Sequence, residues 1–242
     1  MKKITEIFTR PIAHRGLHDA QRIENSLSAF EAAKNNGFGF ELDIHMIKDG
    51  TIIVHHDYNL KRLCGVDVKV ADLVVQDLAK YPFSNQKEHV PTLQEVLDFT
   101  MGEVPILIEL KIAHGFDPIF PDALLKVLEK YPYKDKIALQ SFNPYAIRWL
   151  KAHTNDFSVG QLSSGKLEGQ KPHIQFLFKT LLITRISKPD FVSYDINYLP
   201  NPHVKRLRKR GMAIIAWTID SELRHKNAIL NADQFIFENI KV

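Results

Sequence analysis

The 242-residue chain lacks several features that define large classes of proteins. A single cysteine, Cys64, allows neither an intramolecular disulfide nor a four-thiolate zinc site. The longest apolar runs, such as residues 104–108 and 212–217, fall far short of the roughly 18 residues that suggest a membrane span. Residues 1–16 contain no apolar stretch of signal-peptide length. We therefore expect no transmembrane segment and a reducing compartment, the cytoplasm.

The sequence also has no strong excess of one charge. Lysine and arginine number 32 against 28 acidic residues, which gives a formal net charge of +4. The densest basic run is residues 205–210, and no aromatic side chains interleave with it to stack on bases. We interpret this run as the solvated face of a helix and expect no nucleic-acid partner. At 45% hydrophobic and 25% charged residues, the chain has the composition of a globular protein rather than a disordered one.

Short β-rich segments alternate with helical patterns along the whole chain. The β-rich segments are residues 12–14, 40–44, 105–110, 136–140, 157–161, 191–194, 213–218 and 235–237. The helical patterns are residues 26–36, 118–130, 144–153, 202–210 and 221–230. This alternation predicts an α/β protein with parallel strands and right-handed crossovers.

A ninth β-rich segment, residues 51–55, follows the second too closely for a helical crossover. Asp49-Gly50 between them is a strong hairpin signal, so this segment should run antiparallel. Eight parallel strands predict a (β/α)8 TIM barrel with a small hairpin-containing insertion after the second strand, at about residues 45–91; a doubly wound open sheet is the alternative. Without internal repeats or linkers, residues 1–242 read as a single domain. Residues 174–183 are interpreted as a barrel helix, with a lid that touches a lipid tail as the alternative.

Acidic residues occur in pairs on two strands that should be neighbours. Glu41 and Asp43 are two positions apart, so their side chains share one face of a strand, as do Glu109 and Lys111 on the next core strand. At the carboxyl ends of barrel strands they would line the mouth where active sites of this fold lie. Carboxylates without thiolates favour Mg²⁺, Ca²⁺ or Mn²⁺ over zinc. A buried ion-pair network is the alternative interpretation.

Two histidines are expected to converge on these acids. If Asp49-Gly50 forms a two-residue loop, the hairpin register places His56 opposite Asp43, with His55 pointing away. His14 ends the first strand, beside the second, and opens toward the same mouth. Two imidazoles that flank a metal-bound anion can act as general acid and general base, each worth typically about 10²- to 10⁴-fold in rate.

Other residues at the predicted mouth suit a phosphate ester. Arg15 can bind phosphate oxygens with two parallel hydrogen bonds, and Gly16 allows close approach of the backbone. An ordinary turn with an exposed arginine would explain the same pair. Asn25 or Ser26 would cap the first helix. Trp217 ends the seventh strand, where it could form an apolar wall for substrate or belong to the core.

Together these residues resemble the glycerophosphodiester phosphodiesterase family. The matching pieces, in family order, are His14-Arg15-Gly16, Glu24-Asn25-Ser26, Glu41-Leu42-Asp43, Asp49-Gly50, residues 54–57, Glu109-Leu110-Lys111, Ser141-Phe142 and Trp217-Thr218. They cover the chain from about residue 10 to its end. One departure stands at the last strand, where the family usually has a Thr-Asp-like pair followed by proline and this chain has Phe237-Glu238-Asn239-Ile240.

The resemblance implies a chemistry and a set of roles. A divalent cation, often Ca²⁺ or Mg²⁺, is implied at Glu41, Asp43 and Glu109. His14 and His56 match the acid–base pair, and Arg15 and Lys111 match the phosphate-contacting residues. The glycerol 2-hydroxyl would attack phosphorus and expel the alcohol, and water would open the cyclic phosphate to give sn-glycerol 3-phosphate.

Three functions follow as hypotheses. The first is metal-dependent hydrolysis of small glycerophosphodiesters. The second is lysophospholipase D action, with the apolar segment accommodating an acyl chain. The third is a non-catalytic phosphate-binding barrel, which would have no need of two proton-transfer groups. The head group, the particular cation and the oligomeric state have no signature in the sequence.

Overall fold

The structure is a computed structural model that describes residues 6–85, 87–112 and 115–242. The expectation of no export signal falls partly on residues 1–5, which lie outside the described residues. The strands are β1 (Ile12–Ala13), β2 (Gly39–Met46), β3 (Ile52–Val54), β4 (Ile106–Leu110), β5 (Ile137–Ser141), β6 (Ser158–Ser163), β7 (Phe191–Asp195), β8 (Ala213–Ile219) and β9 (Gln234–Phe237). The α-helices are α1 (Leu27–Asn35), α2 (Lys61–Cys64), α3 (Leu93–Thr100), α4 (Ile119–Glu129), α5 (Pro144–His153), α6 (Pro172–Lys179), α7 (Thr184–Ser187), α8 (Pro202–Lys209) and α9 (Glu222–Asn231).

The parallel strands close into a barrel. Neighbouring strands follow the order β1-β9-β8-β7-β6-β5-β4-β2, and β1 also pairs in parallel with β2. β3 pairs antiparallel with β2 and stands outside this ring. The (β/α)8 barrel predicted from the alternation of elements is confirmed, and the open sheet is excluded because the first and last strands pair.

Local signals explain where several helices begin. The Ser26 hydroxyl accepts from the amide of Ala29 and caps α1, while Asn143 and Asn201 cap α5 and α8 just before a proline. Helix α3 was not predicted, although it begins with a reciprocal pair in which Thr92 caps the helix and the Glu95 carboxylate accepts from the Thr92 amide. Among the described residues, none of the helices is long and apolar enough to cross a membrane.

The interior of the barrel is apolar at one end and polar at the other. A buried apolar cluster fills the interior around Ile7, Ile12, Leu107, Ile215 and Ile236. Because side chains alternate along a strand, the next inward positions on these strands lie one layer nearer to the carboxyl ends. Those positions carry His14, Glu109, Trp217 and Glu238, so the polar layer forms directly on top of the apolar one.

The hairpin register differs from the prediction by one residue. Ile44 pairs with Val54, and the Ile47 amide donates to the carbonyl of Thr51, so the loop has three residues rather than two. Gly50, with φ 87°, supplies the left-handed conformation that this loop needs. The expected pairing of Asp43 with His56 is therefore wrong: the backbone amide of His55, not that of His56, donates to the carbonyl of Asp43, at 2.9 Å.

The insertion has a small core of its own. Its buried side chains are Ile47, Ile53, Leu60, Leu63, Val70, Leu73, Leu78, Phe83 and Val90. This cluster packs the hairpin and α2 together beside the mouth of the barrel. The insertion therefore forms a packed wall beside the mouth of the barrel.

Part of the apolar segment at residues 174–183 packs on the barrel, as the helix interpretation expects. Phe178, Leu181 and Ile183 are buried, as expected of a helix that packs on a barrel. Ile174 lines a groove beside the mouth, and Phe176 is 57% exposed. One part of the segment thus belongs to the core and Ile174 borders the groove, while contact with a lipid tail stays a prediction.

Candidate active site

Three carboxylates meet inside the mouth of the barrel. Glu41 and Asp43 project from β2 and Glu109 from β4, and the parallel register pairs Asp43 directly with Glu109. All three residues are buried, and one carboxylate oxygen from each lies within 4.8 Å of the others. Glu41 and Asp43, two positions apart on β2, therefore do meet Glu109 of the neighbouring strand.

Two cations lie within the same cluster. Lys111 Nζ is 2.9 Å from Asp43 Oδ1 and 2.6 Å from Glu109 Oε1. Arg15 Nε is 3.2 Å from Asp43 Oδ2, and the Arg15 backbone amide donates to Glu41 Oε2 at 3.2 Å. The ion-pair network that the sequence analysis kept as an alternative is thus part of the site, but two side-chain cations do not balance three carboxylates.

The pKa values of the three acids shift in different directions. Burial, reinforced by repulsion from Asp43 and Glu109, raises the pKa of Glu41 well above its ordinary value. Burial likewise raises the pKa of Glu109. Burial acts on Asp43 in the same direction, but attraction to Lys111 and Arg15 outweighs it and lowers the pKa of Asp43.

The donor set fits a hard divalent cation. Three carboxylates supply oxygen ligands only, which is the chemistry that Mg²⁺, Ca²⁺ and Mn²⁺ prefer. A further positive charge would relieve the mutual repulsion of the acids, because the nearby lysine and arginine leave one carboxylate uncompensated. Asn25, expected as a possible helix cap, instead donates to Asp43 Oδ2 at 2.9 Å and fixes that carboxylate.

Both candidate histidines are held by a carboxylate through Nδ1. His14 Nδ1 lies 2.7 Å from Glu238 Oε2, and His56 Nδ1 lies 2.7 Å from Asp57 Oδ1. Burial lowers the pKa of both imidazoles, and each in turn is among the charges that lower the pKa of Asp43. The two rings thus lie within electrostatic reach of the same carboxylate.

The other histidines of this region support the loop that carries His56. His45 Nε2 lies 3.1 Å from the carbonyl oxygen of His56, and His55 Nε2 lies 3.0 Å from that of Asn59. His55 is fully buried, whereas His56 lines the open cavity. The chain turns after Val54, and this turn rather than the predicted register brings His56 to the mouth.

A chain of ion pairs connects the two sides of the mouth. Asp57 accepts from Arg62 Nε at 2.7 Å, and Arg62 also binds both carboxylate oxygens of Glu24 at 2.7 and 2.8 Å. Glu24 in turn accepts from Arg15 at 2.7 Å. These contacts, together with burial that opposes them, set the pKa of Glu24 at about 2. The insertion, through Arg62, therefore holds the surroundings of both His56 and Arg15.

An open cavity of about 550 Å³ lies over the cluster. His56, Tyr58, Glu109, Lys111 and Phe142 are among its lining residues. A second groove of about 630 Å³ adjoins it through shared walls at Ile112 and Phe142, and its lining is largely apolar.

Trp217 stands beside this cavity, edge-on to Phe142 with 5.9 Å between ring centroids. Its buried Nε1 has no hydrogen-bond partner among the described residues. Trp217 thus packs against the core cluster and lies near the cavity, and its contact with substrate stays a prediction.

Three residues of the site, Glu238, Asp57 and Arg62, were not predicted. A signal for Glu238 was present, since a closed barrel must place its last strand beside the first, and Glu238 stands two positions after the inward Ile236. Arg62 carried no comparable signal, because its position depends on how the insertion folds.

The arrangement can be compared with known proteins. A family model described as the glycerophosphoryl diester phosphodiesterase family matches residues 14–240. A glycerophosphodiester phosphodiesterase of Caldanaerobacter subterraneus is 27% identical over 223 residues, which cover 88% of this chain and 86% of that protein. Lysophospholipase D GDPD1 of mouse is 36% identical over 124 residues, which cover 46% of this chain and 39% of the mouse protein.

Solved structures share the fold. The crystal structure of a glycerophosphodiester phosphodiesterase from Thermotoga maritima has a TM-score of 0.74 and 26% identity, with 93% of this chain and 92% of that chain covered. An Oleispira antarctica phosphodiesterase in complex with the product sn-glycerol-3-phosphate has a TM-score of 0.80 and 21% identity, with 95% and 92% covered. The family model spans nearly the whole chain and confirms the resemblance seen in the motifs: the chain belongs to the glycerophosphoryl diester phosphodiesterase family, whose members are phosphoric diester hydrolases.

Proposed function

We propose that this enzyme hydrolyses glycerophosphodiesters to sn-glycerol 3-phosphate and an alcohol, with the help of one divalent cation. The observation that carries the proposal is the meeting, at one barrel mouth, of three buried carboxylates and two imidazoles that are each oriented by a carboxylate. The product bound in the Oleispira antarctica phosphodiesterase, sn-glycerol-3-phosphate, is the product that we propose for this enzyme. The single Cys64, which is unpaired, is consistent with action in the cytoplasm.

The charged residues would bind the phosphodiester. Glu41, Asp43 and Glu109 would hold Ca²⁺ or Mg²⁺, with Mn²⁺ as a substitute, and a bound cation would supply positive charge to a phosphate oxygen. Arg15 and Lys111 add two further positive charges at the edge of the cluster. Trp217 and Phe142 would border the apolar part of the substrate.

His14 and His56 would move the protons. In the first step one imidazole accepts the proton of the glycerol 2-hydroxyl as that oxygen attacks phosphorus, and the other donates a proton to the departing alcohol. In the second step their roles reverse, as water opens the cyclic phosphate to sn-glycerol 3-phosphate. Because Nδ1 of each ring faces a carboxylate, Nε2 is the atom available for these transfers.

A direct assay tests this proposal. Purified protein should release glycerol 3-phosphate from glycerophosphocholine or glycerophosphoethanolamine, lose that activity after dialysis against a chelator, and regain it with Ca²⁺, Mg²⁺ or Mn²⁺. A doubly substituted His14→Ala/His56→Ala protein, purified in the same way, controls for contaminating enzymes. Phosphate-ester binding without any turnover by the cation-loaded wild type would instead support the non-catalytic barrel.

A second candidate function is lysophospholipase D action, and the apolar groove beside the cavity favours it. Phe142, Leu167, Ile174 and Phe178 are among the residues that line this groove, which adjoins the cavity above the acids at Ile112 and Phe142. A lysophospholipid whose phosphate lies over Lys111 could place its acyl chain here. The partial match to the mouse lysophospholipase D is consistent with such a substrate.

The groove predicts a difference between substrates. Leu167→Asp should lower kcat/KM for lysophosphatidylcholine by about tenfold or more, because the acyl chain would lose an apolar contact, and full burial of a leucine side chain is worth about 1.5–3 kcal/mol. The same variant should leave kcat/KM for glycerophosphocholine within about twofold of the wild type. Phe176→Asp, on an exposed side chain that does not line the groove, is the matched control. Equal losses on both substrates would show that the groove does not hold the acyl chain.

A further inference from the structure

We propose that Glu238 is a positioning residue that holds the His14 imidazole in the tautomer with its proton on Nδ1 and presents Nε2 to the substrate. This inference rests on the proposed function, because it assigns a task to His14 in the reaction. It gives a role to the position where the chain departs from the usual ending of the family's last strand.

The barrel closure places the two residues together. Ile12 of β1 pairs in parallel with Ile236 of β9, and the backbone amide of His14 donates to the carbonyl of Phe237 at 2.8 Å. The side chains of Ile12 and Ile236 point into the barrel. Because side chains alternate along a strand, His14 and Glu238, two positions later along the chain, point inward as well. The resulting contact between His14 Nδ1 and Glu238 Oε2 is 2.7 Å.

The backbone holds Glu238 in place on its other side as well. Its amide donates to the carbonyl of Ile219 on β8 at 3.0 Å. Asn239 follows with φ 55°, a left-handed conformation that asparagine tolerates better than most residues, and Ile240 after it packs against the core. The carboxylate therefore extends from a fixed backbone position rather than from a free terminus.

The chemistry of a carboxylate selects the tautomer. An ionised carboxylate only accepts hydrogen bonds, so its contact with Nδ1 requires a proton on that nitrogen and leaves the Nε2 lone pair free. His18 Nε2 is 3.7 Å from the same oxygen, too far for a hydrogen bond. A buried aspartate performs this orienting task for the histidine of serine protease triads.

The two carboxylate–imidazole pairs of the site differ in one respect. Asp57, the partner of His56, also accepts from Arg62 Nε at 2.7 Å, which offsets its charge. For Glu238, the described residues show ion pairs with His14 and His18 and none with lysine or arginine. His14, at 2.7 Å, is the nearer of these two imidazoles, and the carboxylate would stabilise the imidazolium that forms on this ring on proton uptake.

Kinetics and NMR of matched variants test the proposal. Glu238→Gln keeps the size of the side chain but removes the charge, and a side chain that is 27% exposed should tolerate this change without loss of the fold. We expect kcat on glycerophosphocholine to fall by about 10²-fold or more, within the roughly 10⁴-fold seen when the orienting aspartate of a serine protease is replaced by asparagine. KM should change less than about threefold. Glu238→Asp should restore part of the loss, and Glu129→Gln, on the exposed surface of α4, should change neither constant.

The ¹⁵N spectrum of the His14 ring gives a readout that does not require turnover. The signal, assigned by comparison with His14→Gln, should show a protonated Nδ1 in the neutral wild-type ring and a shift toward the other tautomer in Glu238→Leu, which has no acceptor for the Nδ1 proton. A wild-type ring protonated on Nε2, or an unchanged kcat in Glu238→Gln, would overturn the proposal. An inactive wild type would contradict the proposed function instead, and the spectrum would still decide whether Glu238 holds the tautomer.

Discussion

Replacing either His14 or His56 with alanine is expected to lower kcat by about 10²- to 10⁴-fold, because each ring would lose one of the two proton transfers. The midpoint of thermal unfolding should stay close to that of the wild type, since both side chains lie at the open mouth rather than in the apolar core. Steady-state turnover of glycerophosphocholine and a thermal melt measure the two quantities.

Surface histidines provide the control for this experiment. His89, whose side chain is 44% exposed, pairs with Glu95 outside the cavity, so His89→Ala should keep full activity. The double variant His14→Ala/His56→Ala should lose less than the product of the single effects, as expected of groups that act in one reaction cycle. Full turnover in either single variant would remove that histidine from the mechanism.

Neutralising Glu41 should abolish tight cation binding while leaving the fold intact. Burial and repulsion already raise the pKa of Glu41, so Glu41→Gln removes an unfavourable charge and should not lower the free energy of unfolding. The affinity for Ca²⁺ or Mg²⁺ should fall by about 10²-fold or more, because one of three oxygen ligands becomes neutral. Isothermal titration calorimetry of the chelator-treated protein measures the affinity, and activity should fall with it.

A second acid of the cluster, Asp43, provides a further test of cation binding. Asp43→Asn should also weaken cation binding, but it breaks a buried pairing with Lys111 and Arg15 and should cost about 3–5 kcal/mol of stability. Glu103→Gln, whose side chain is 57% exposed and pairs with Lys34, is the matched surface control. An unchanged cation affinity in Glu41→Gln and Asp43→Asn would show that these acids serve only the ion-pair network.

Much of the fold was predictable because its signals are local and repeated. Most barrel strands are short apolar segments followed by a helical pattern, and the predicted helix at residues 144–153 matches α5, which begins at Pro144 after the Asn143 cap. The acid cluster was predictable for the same reason, since Glu41, Asp43 and Glu109 depend only on alternation within strands and on strand order.

The parts that could not be predicted depend on three-dimensional details. The hairpin register depends on whether the loop has two or three residues, and the Asp49-Gly50 signal does not determine that length. Lys111 was expected at a phosphate, but it also bridges Asp43 and Glu109, which no linear pattern reveals. The link from Arg62 to Glu24 spans 38 residues and forms only after the insertion folds against the barrel.

The most direct test of a cation held by Glu41, Asp43 and Glu109 is a crystal of the protein grown with Mn²⁺ and measured for anomalous scattering. We predict one strong peak within about 2.6 Å of a carboxylate oxygen from each of the three residues, at the mouth lined by His56. An anomalous map without a peak at the acids, with Lys111 still bridging Asp43 and Glu109, would contradict the proposed metal-dependent mechanism.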